Sequence, residues 1–241
     1  MTALLDLQSN KCMMYDVLNK IKRKLNKMRL QPIRVYCLHH VCAEFDAETM
    51  YACDWMQIDK FKKKIIALRQ SGIEIISLTD AHEKLKRDLF RCKKYAVLTF
   101  DDGYASLKEI LPWLEEKKIP VTLFVNSKYL DGKSYRKNPK ERYLAKDELW
   151  ALTSPLVEIG SHGWEHTNAV DMSADAFKQS IEQNIEMLHT HPRYIPFHAY
   201  TWGKHTKDTD RIIAEEGMTP LTIMGGANYK EERILDRELL S

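Results

Sequence analysis

Two adjacent acids close an apolar run in "AVLTFDDGYAS", where Asp101 and Asp102 precede Gly103. Like charges this close repel, so both stay ionised only beside a compensating cation or by sharing a proton. A divalent metal resolves the conflict by taking one carboxylate as ligand and leaving the other beside it as a base. Taken alone, the pair also fits an acidic strand end that caps the next helix. The stretch "VEIGSHGWEHTN" then places His162 and His166 four residues apart, after a second apolar run. Imidazoles at that spacing can converge on one ion. Two histidines with one carboxylate match a catalytic zinc site that keeps a position open for water. Together the two features favour the metal reading over the helix cap.

A third apolar run, "IRVYCLHHVC", carries His39 and His40. Alternation along a strand sends neighbouring side chains to opposite faces, so only one of these imidazoles can look into a shared site. "CLHHVC" also admits a structural metal cluster built on Cys37 and Cys42, but no second cysteine pair lies nearby to complete four ligands. Small buried cysteines are the simpler reading.

These residues need elements that bring them together. Seven apolar runs of strand length recur at residues 33–40, 73–78, 96–100, 121–125, 157–162, 194–200 and 221–225, with β-branched or aromatic bias. Helical period fills the intervals. In 56–72, Ile58, Phe61, Ile65 and Leu68 share a face and Gly72 supplies the stop; 106–119, 173–189 after a Ser173 cap, and 206–217 follow. Strands alternating with helices predict an α/β fold with a mainly parallel sheet, and seven units favour a (β/α)7 barrel over an open sheet. Chemistry in such barrels gathers at the C-terminal strand ends, where both the acids and the histidines fall. The polar segment 131–143 lacks period and is expected to be a long loop.

Length and charge narrow the rest. A chain of 241 residues can bury the core of one domain, and a net charge of +3 is too small to argue for a nucleic-acid partner. Residues 1–30 predict a basic N-terminal helical extension and 31–241 the barrel. Lys20, Lys22, Arg23, Lys24, Lys27 and Arg29 crowd a stretch without an acid, opposite a stripe of Leu18, Ile21, Leu25 and Met28. Residues 18–29 thus have the pattern of a helix lying on an anionic membrane surface, or of one packing on the barrel. No secretory signal or spanning segment is visible. The five cysteines form no CxxC pair. The expectation is a cytoplasmic protein with reduced thiols, peripheral at the inner face of the membrane if the basic helix binds there.

"TFDDGY", followed by "SHGWEHTN", resembles the first two motifs of the polysaccharide deacetylases, the NodB-type carbohydrate esterase family four. The resemblance implies a distorted barrel and a divalent metal, zinc first. It implies hydrolysis of an N-acetyl group from an amino sugar in a glycan or in a nucleotide-linked or lipid-linked precursor. It makes Asp101 the general base and Asp102, His162 and His166 the metal ligands. "AYTWG" is similar to the family's Tyr-Pro-Tyr/Phe-Gly stretch, with Thr201 in place of proline. That match implies Tyr200 and Trp202 at the acetyl-pocket wall and the Tyr200 N–H facing the oxyanion. Arg193, just upstream, either orients a carboxylate or sits at the surface near a turn. No histidine follows "LTIMGG" to serve as the family's late general acid. "VYCLHHVC" instead resembles the "YHxV" strand of the permuted poly-N-acetylglucosamine deacetylases, which implies His39 as general acid and leaves His40 structural. An N-deformylase of a lipid-linked amino sugar would use the same residues. A non-catalytic glycan-binding module on this fold is the reading outside the enzymes.

Overall fold

The computed structural model describes residues 31–43, 55–87, 92–135, 141–230 and 232–240. The expected helix over 1–30, its basic stripe and its boundary with the barrel lie outside the described residues.

In chain order the elements begin with β1 (Ile33–Leu38), β2 (His40–Cys42), β3 (Trp55–Gln57), α1 (Ile58–Gln70), β4 (Ile73–Ile75), α2 (Leu78–Arg87) and β5 (Lys94–Phe100). There follow α3 (Leu107–Glu116), β6 (Val121–Val125), α4 (Lys146–Trp150), β7 (Val157–Ser161) and α5 (Ala174–Leu188). The chain closes with β8 (Tyr194–Ala199), α6 (Lys207–Glu215), β9 (Thr219–Thr222), β10 (Leu235–Asp236) and β11 (Glu238–Leu239). Each expected apolar run is a strand of one parallel sheet, in the order β10-β9-β8-β7-β6-β5-β1-β11, with β4 beside the start of β5.

An eighth position completes the seven expected. β10 pairs with β9 and β11 pairs with β1, and only Arg237 separates them. One short C-terminal segment therefore touches both ends of the sheet and nearly closes it. Arg237 is wholly buried; its guanidinium takes both oxygens of Asp101, at 2.6 and 2.9 Å, and lies 5.4 Å from the Phe124 ring.

Alternation divides the side chains. Ile33, Val35, Val97, Phe124, Phe197, Leu221 and Leu235 pack in one cluster that also takes Leu78, Ala81 and Leu85 of α2. Leu98, Phe100, Leu123, Val125 and Ile159 point the other way, onto Phe61 and Ile65 of α1 and Ile110 and Leu114 of α3. Buried Glu158 on β7 caps α2, accepting from the N–H groups of Leu78 at 2.9 Å and Thr79 at 3.3 Å.

At the opposite end, the segment after residue 140 folds against the turn that carries the two acids. Leu144 N donates to Gly103 O and Ala105 N to Arg142 O. Glu148 pins this segment by accepting from both Arg142 nitrogens (2.6 and 2.9 Å), from Lys108 (2.6 Å) and from Ala145 N (3.0 Å). Above all the Arg142 fork, against burial and with Lys108 and the Ala145 N–H, holds the Glu148 carboxyl well below the usual carboxylate range.

Two outcomes follow for stability. Arg237→Met leaves Asp101 buried without its partner and is expected to cost about 3–5 kcal/mol in urea unfolding; an unchanged midpoint would show that the pair does not hold the closure. A depressed carboxyl contributes stability above its unfolded pKa and loses it as pH falls through the folded one. Glu148→Gln should therefore lower stability by about 1 kcal/mol at neutral pH, a partly exposed pair being screened by solvent. The gap to the parent should narrow below about pH 4; a gap independent of pH would assign the loss to packing.

Candidate active site

Period two places Val97, Thr99 and then Asp101 on the inner side of β5, and Val35, Cys37 and then His39 on the inner side of β1. The two strands run in register, Val35 beside Val97 and Cys37 beside Thr99. Asp101 N continues the ladder by donating to Leu38 O at 2.8 Å. Ligand-type atoms of Cys37, His39 and Asp101 consequently lie within 4.8 Å of one another. The Cys37 thiol, kept protonated by burial and by the Asp101 charge, donates to Asp101 Oδ2 at 3.3 Å. With Arg237 on both oxygens, this group is a braced carboxylate rather than a second metal site.

Asp102 would point away on a continuing strand. Its φ of 71° and the φ of 83° at Gly103 turn the chain at that residue. The left-handed conformation costs a non-glycine residue about 1–2 kcal/mol, and here it brings Asp102 back to the histidines. Asp102 Oδ1 lies 3.4 Å from His162 Nε2 and 3.2 Å from His166 Nε2, is buried and has no hydrogen-bond partner. Ligand atoms of all three residues fall within 4.8 Å of one another.

That geometry fits a metal. His162 Nδ1 donates to Ala199 O at 2.7 Å, which leaves the Nε2 lone pair aimed at Asp102, the tautomer a ligating histidine needs. Asp102 and His162 have side chains 3% and 1% exposed, whereas His166 is 22% exposed and marks the open side.

The charges sort accordingly. Burial pushes the Asp101 carboxyl up, but Arg237 and His162 outweigh it and hold the group at about 2. Burial also opposes the Asp102 anion, yet His162, His166 and His39 keep it far below the ordinary range. Burial lowers His162, but Asp101 and Asp102 more than restore it; burial leaves His166 lowered.

The two neighbouring imidazoles that follow β1 separate as alternation along the chain predicts. His39 lies between β1 and β2, beside Asp101. His40 is buried, stacked on Tyr104 with centroids 3.8 Å apart, and its Nδ1 is 3.3 Å from Ser106 Oγ. Its Nε2 lies 3.8 Å from the buried Glu141 carboxylate.

The third motif departs from expectation at Tyr200. Its N–H donates to Leu221 O at 2.9 Å in the ladder between β8 and β9, so it cannot serve an oxyanion. Its ring is 0% exposed, stacks on His205 and donates its hydroxyl to Asp210 at 2.9 Å. Tyr200 is a core residue behind the site, where it lines a small enclosed cavity with His162, Phe177 and Thr201 rather than the open side. Trp202 does reach the rim: it is 57% exposed, adopts φ 52° and packs its ring 4.3 Å from His166. Thr201, in the proline position, donates to Thr167 O at 2.7 Å and so ties this turn to the histidine turn. Arg193 holds the carbonyls of Val157 and Pro155 at the start of β7, far from either acid. The arginine that does orient a carboxylate is Arg237, which nothing in "ILDRELL" singles out, since acids flank it on both sides.

Comparisons with known proteins bear on the family and the fold. The sequence profile of the family described as polysaccharide deacetylase matches residues 90–221, more than half of the chain. No curated protein matches by sequence. Among solved structures, IcaB from Ammonifex degensii is 21% identical with a TM-score of 0.74, covering 88% of this chain and 92% of that one. A de-N-acetylase from Aggregatibacter actinomycetemcomitans is 19% identical with a TM-score of 0.69, covering 88% and 95%. The deacetylase PplD from Streptococcus pyogenes, solved in complex with acetate, is 18% identical with a TM-score of 0.70, covering 87% and 92%. At these identities the likeness is one of fold. The profile match, which spans both the double acid and the histidine pair, carries the assignment: this chain belongs to the polysaccharide deacetylase family.

Proposed function

We propose that the protein is a zinc-dependent hydrolase that removes an N-acetyl group from an amino sugar of a glycan or glycan precursor. The observation that carries this reading is the division of the two acids, Asp101 bound to Arg237 and Asp102 facing His162 and His166. Family membership supports de-N-acetylation of a glycan, and the acetate bound by PplD suits an acetyl product.

A divalent cation held by Asp102, His162 and His166 would supply Lewis acidity, polarising the acyl oxygen and acidifying the attacking water. A carboxyl held at about 2 is a weak base, and it suits only a proton that has been loosened in this way. Asp101 accepts that proton. Arg237 and Cys37 keep its oxygens from rotating, so the accepting lone pair is aimed before substrate arrives. His39, on the other side of Asp101, protonates the leaving amine. With the Tyr200 N–H engaged in the sheet, the main-chain donor for the oxyanion passes to Trp202, beside His166. The exposed Trp202 ring forms one wall for the sugar or its acyl group.

A cytoplasmic position at the inner face of a membrane, where a lipid-linked glycan precursor would lie, is part of the same proposal. It rests on the basic, amphipathic stretch 18–29. No described helix is long and apolar enough to cross a membrane.

Incubation of the zinc-loaded protein with N-acetylglucosamine oligomers tests the reaction. Acetate and free amine should form in equal amounts. Asp101→Asn and His39→Ala should each slow release by about 10²–10⁴-fold. Near-parental turnover in Asp101→Asn would remove it as the base, and near-parental turnover in His39→Ala would remove it as the acid. Formate from N-formyl substrates, with no acetate, would replace the acyl group in the proposal. No product from either class would contradict it.

A further inference from the structure

Both histidines of the candidate metal triad ride on one turn after β7, and the main chain between them is held from outside. His162 N donates to Val125 O at 3.0 Å, and Lys128 N donates to Trp164 O at 2.9 Å. Side chains take the other polar groups. Asn126, which follows β6, donates through Nδ2 to His162 O at 2.6 Å. Asn184, on α5, donates through Nδ2 to Gly163 O at 2.6 Å and also reaches Val125 O and Ser127 Oγ. Ser161 Oγ accepts from Gly163 N at 3.3 Å, and Ser180 Oγ accepts from Trp164 N at 3.0 Å. Every main-chain N–H and C=O from His162 to Trp164 thus has a partner. Ser180 and Asn184 stand one helical turn apart, on the same face of α5.

Asn126 and Asn184 are both 0% exposed, and the side-chain oxygen of each is buried without a hydrogen-bond partner. An unpaired buried acceptor subtracts from stability, so neither amide is well suited to a purely stabilising role. What their donor halves supply is placement. Gly163, at φ 84°, reverses the chain between the histidines, and a turn of that shape left unclamped has other conformations available to it.

We propose that Asn126 and Asn184 are positioning residues that set the metal affinity of the triad by fixing the turn that carries His162 and His166. This rests on the metal reading of the triad given above. Zinc affinity is measured by competition with a chromophoric chelator on full-length protein shown by circular dichroism to be folded. Asn126→Ala and Asn184→Ala should each weaken zinc by about 10–100-fold, the loss typical of removing a partner behind a ligand. Leu85→Ala, which opens the core at α2, is the comparator: it should lower thermal stability and leave zinc affinity unchanged. If Asn184→Ala does not fold, Ser180→Ala takes its place, removing a single bond to the same turn. Parental zinc affinity in the asparagine variants, or an equal loss in Leu85→Ala, would overturn the proposal while leaving the metal site standing. A parent that binds no zinc would overturn the metal reading beneath it.

Discussion

The fold and the site both depend on the ion pair between Arg237 and Asp101. A guanidinium with no exposed surface is tolerable only where a carboxylate takes its charge and further acceptors take its remaining N–H groups. Asp101 provides the first; Thr99 Oγ1 and Thr222 O provide the second. Because Arg237 sits between β10 and β11, the pair that neutralises it also seats the segment joining the two ends of the sheet. Closure of the barrel and orientation of the candidate base are one event.

The same pair separates two acids that sequence makes equivalent. Once Asp101 is committed to Arg237 and Cys37, the charge left uncompensated is that of Asp102, and the chain turns into the left-handed region to present it to two imidazoles. Strain at Asp102 is thereby spent where three ligand atoms converge. The histidine turn is held by β6 and α5 behind it and by Thr201 beside it, so the site rests on rigid elements although its residues lie in loops.

Much of this was legible in the sequence. The strands of the barrel follow from short β-branched and aromatic runs, the place of both acids at a strand end follows from where the run stops, and period two allows only one of His39 and His40 to face the site. What was not legible has identifiable physical reasons. The closing segment splits into two-residue strands around a charged residue, so neither length nor hydrophobicity marks it. Its meaning depends on Asp101, far away in the chain. α2 escaped notice because its start is set by Glu158, a cap contributed from β7. Tyr200 was misplaced because its N–H belongs to the β8–β9 ladder, and strand pairing is a tertiary fact. Asn126 and Asn184 carry no motif; only the fold sets them against the His162 carbonyl and its neighbour.

The most direct measurement is the zinc bound per chain by Asp101→Asn and by Asp102→Asn, each shown by circular dichroism to be folded and then stripped and re-exposed to zinc. The division of roles predicts that Asp101→Asn retains about one equivalent, as the parent should, and that Asp102→Asn retains little. Equal loss in both variants, or full retention by Asp102→Asn, would contradict it.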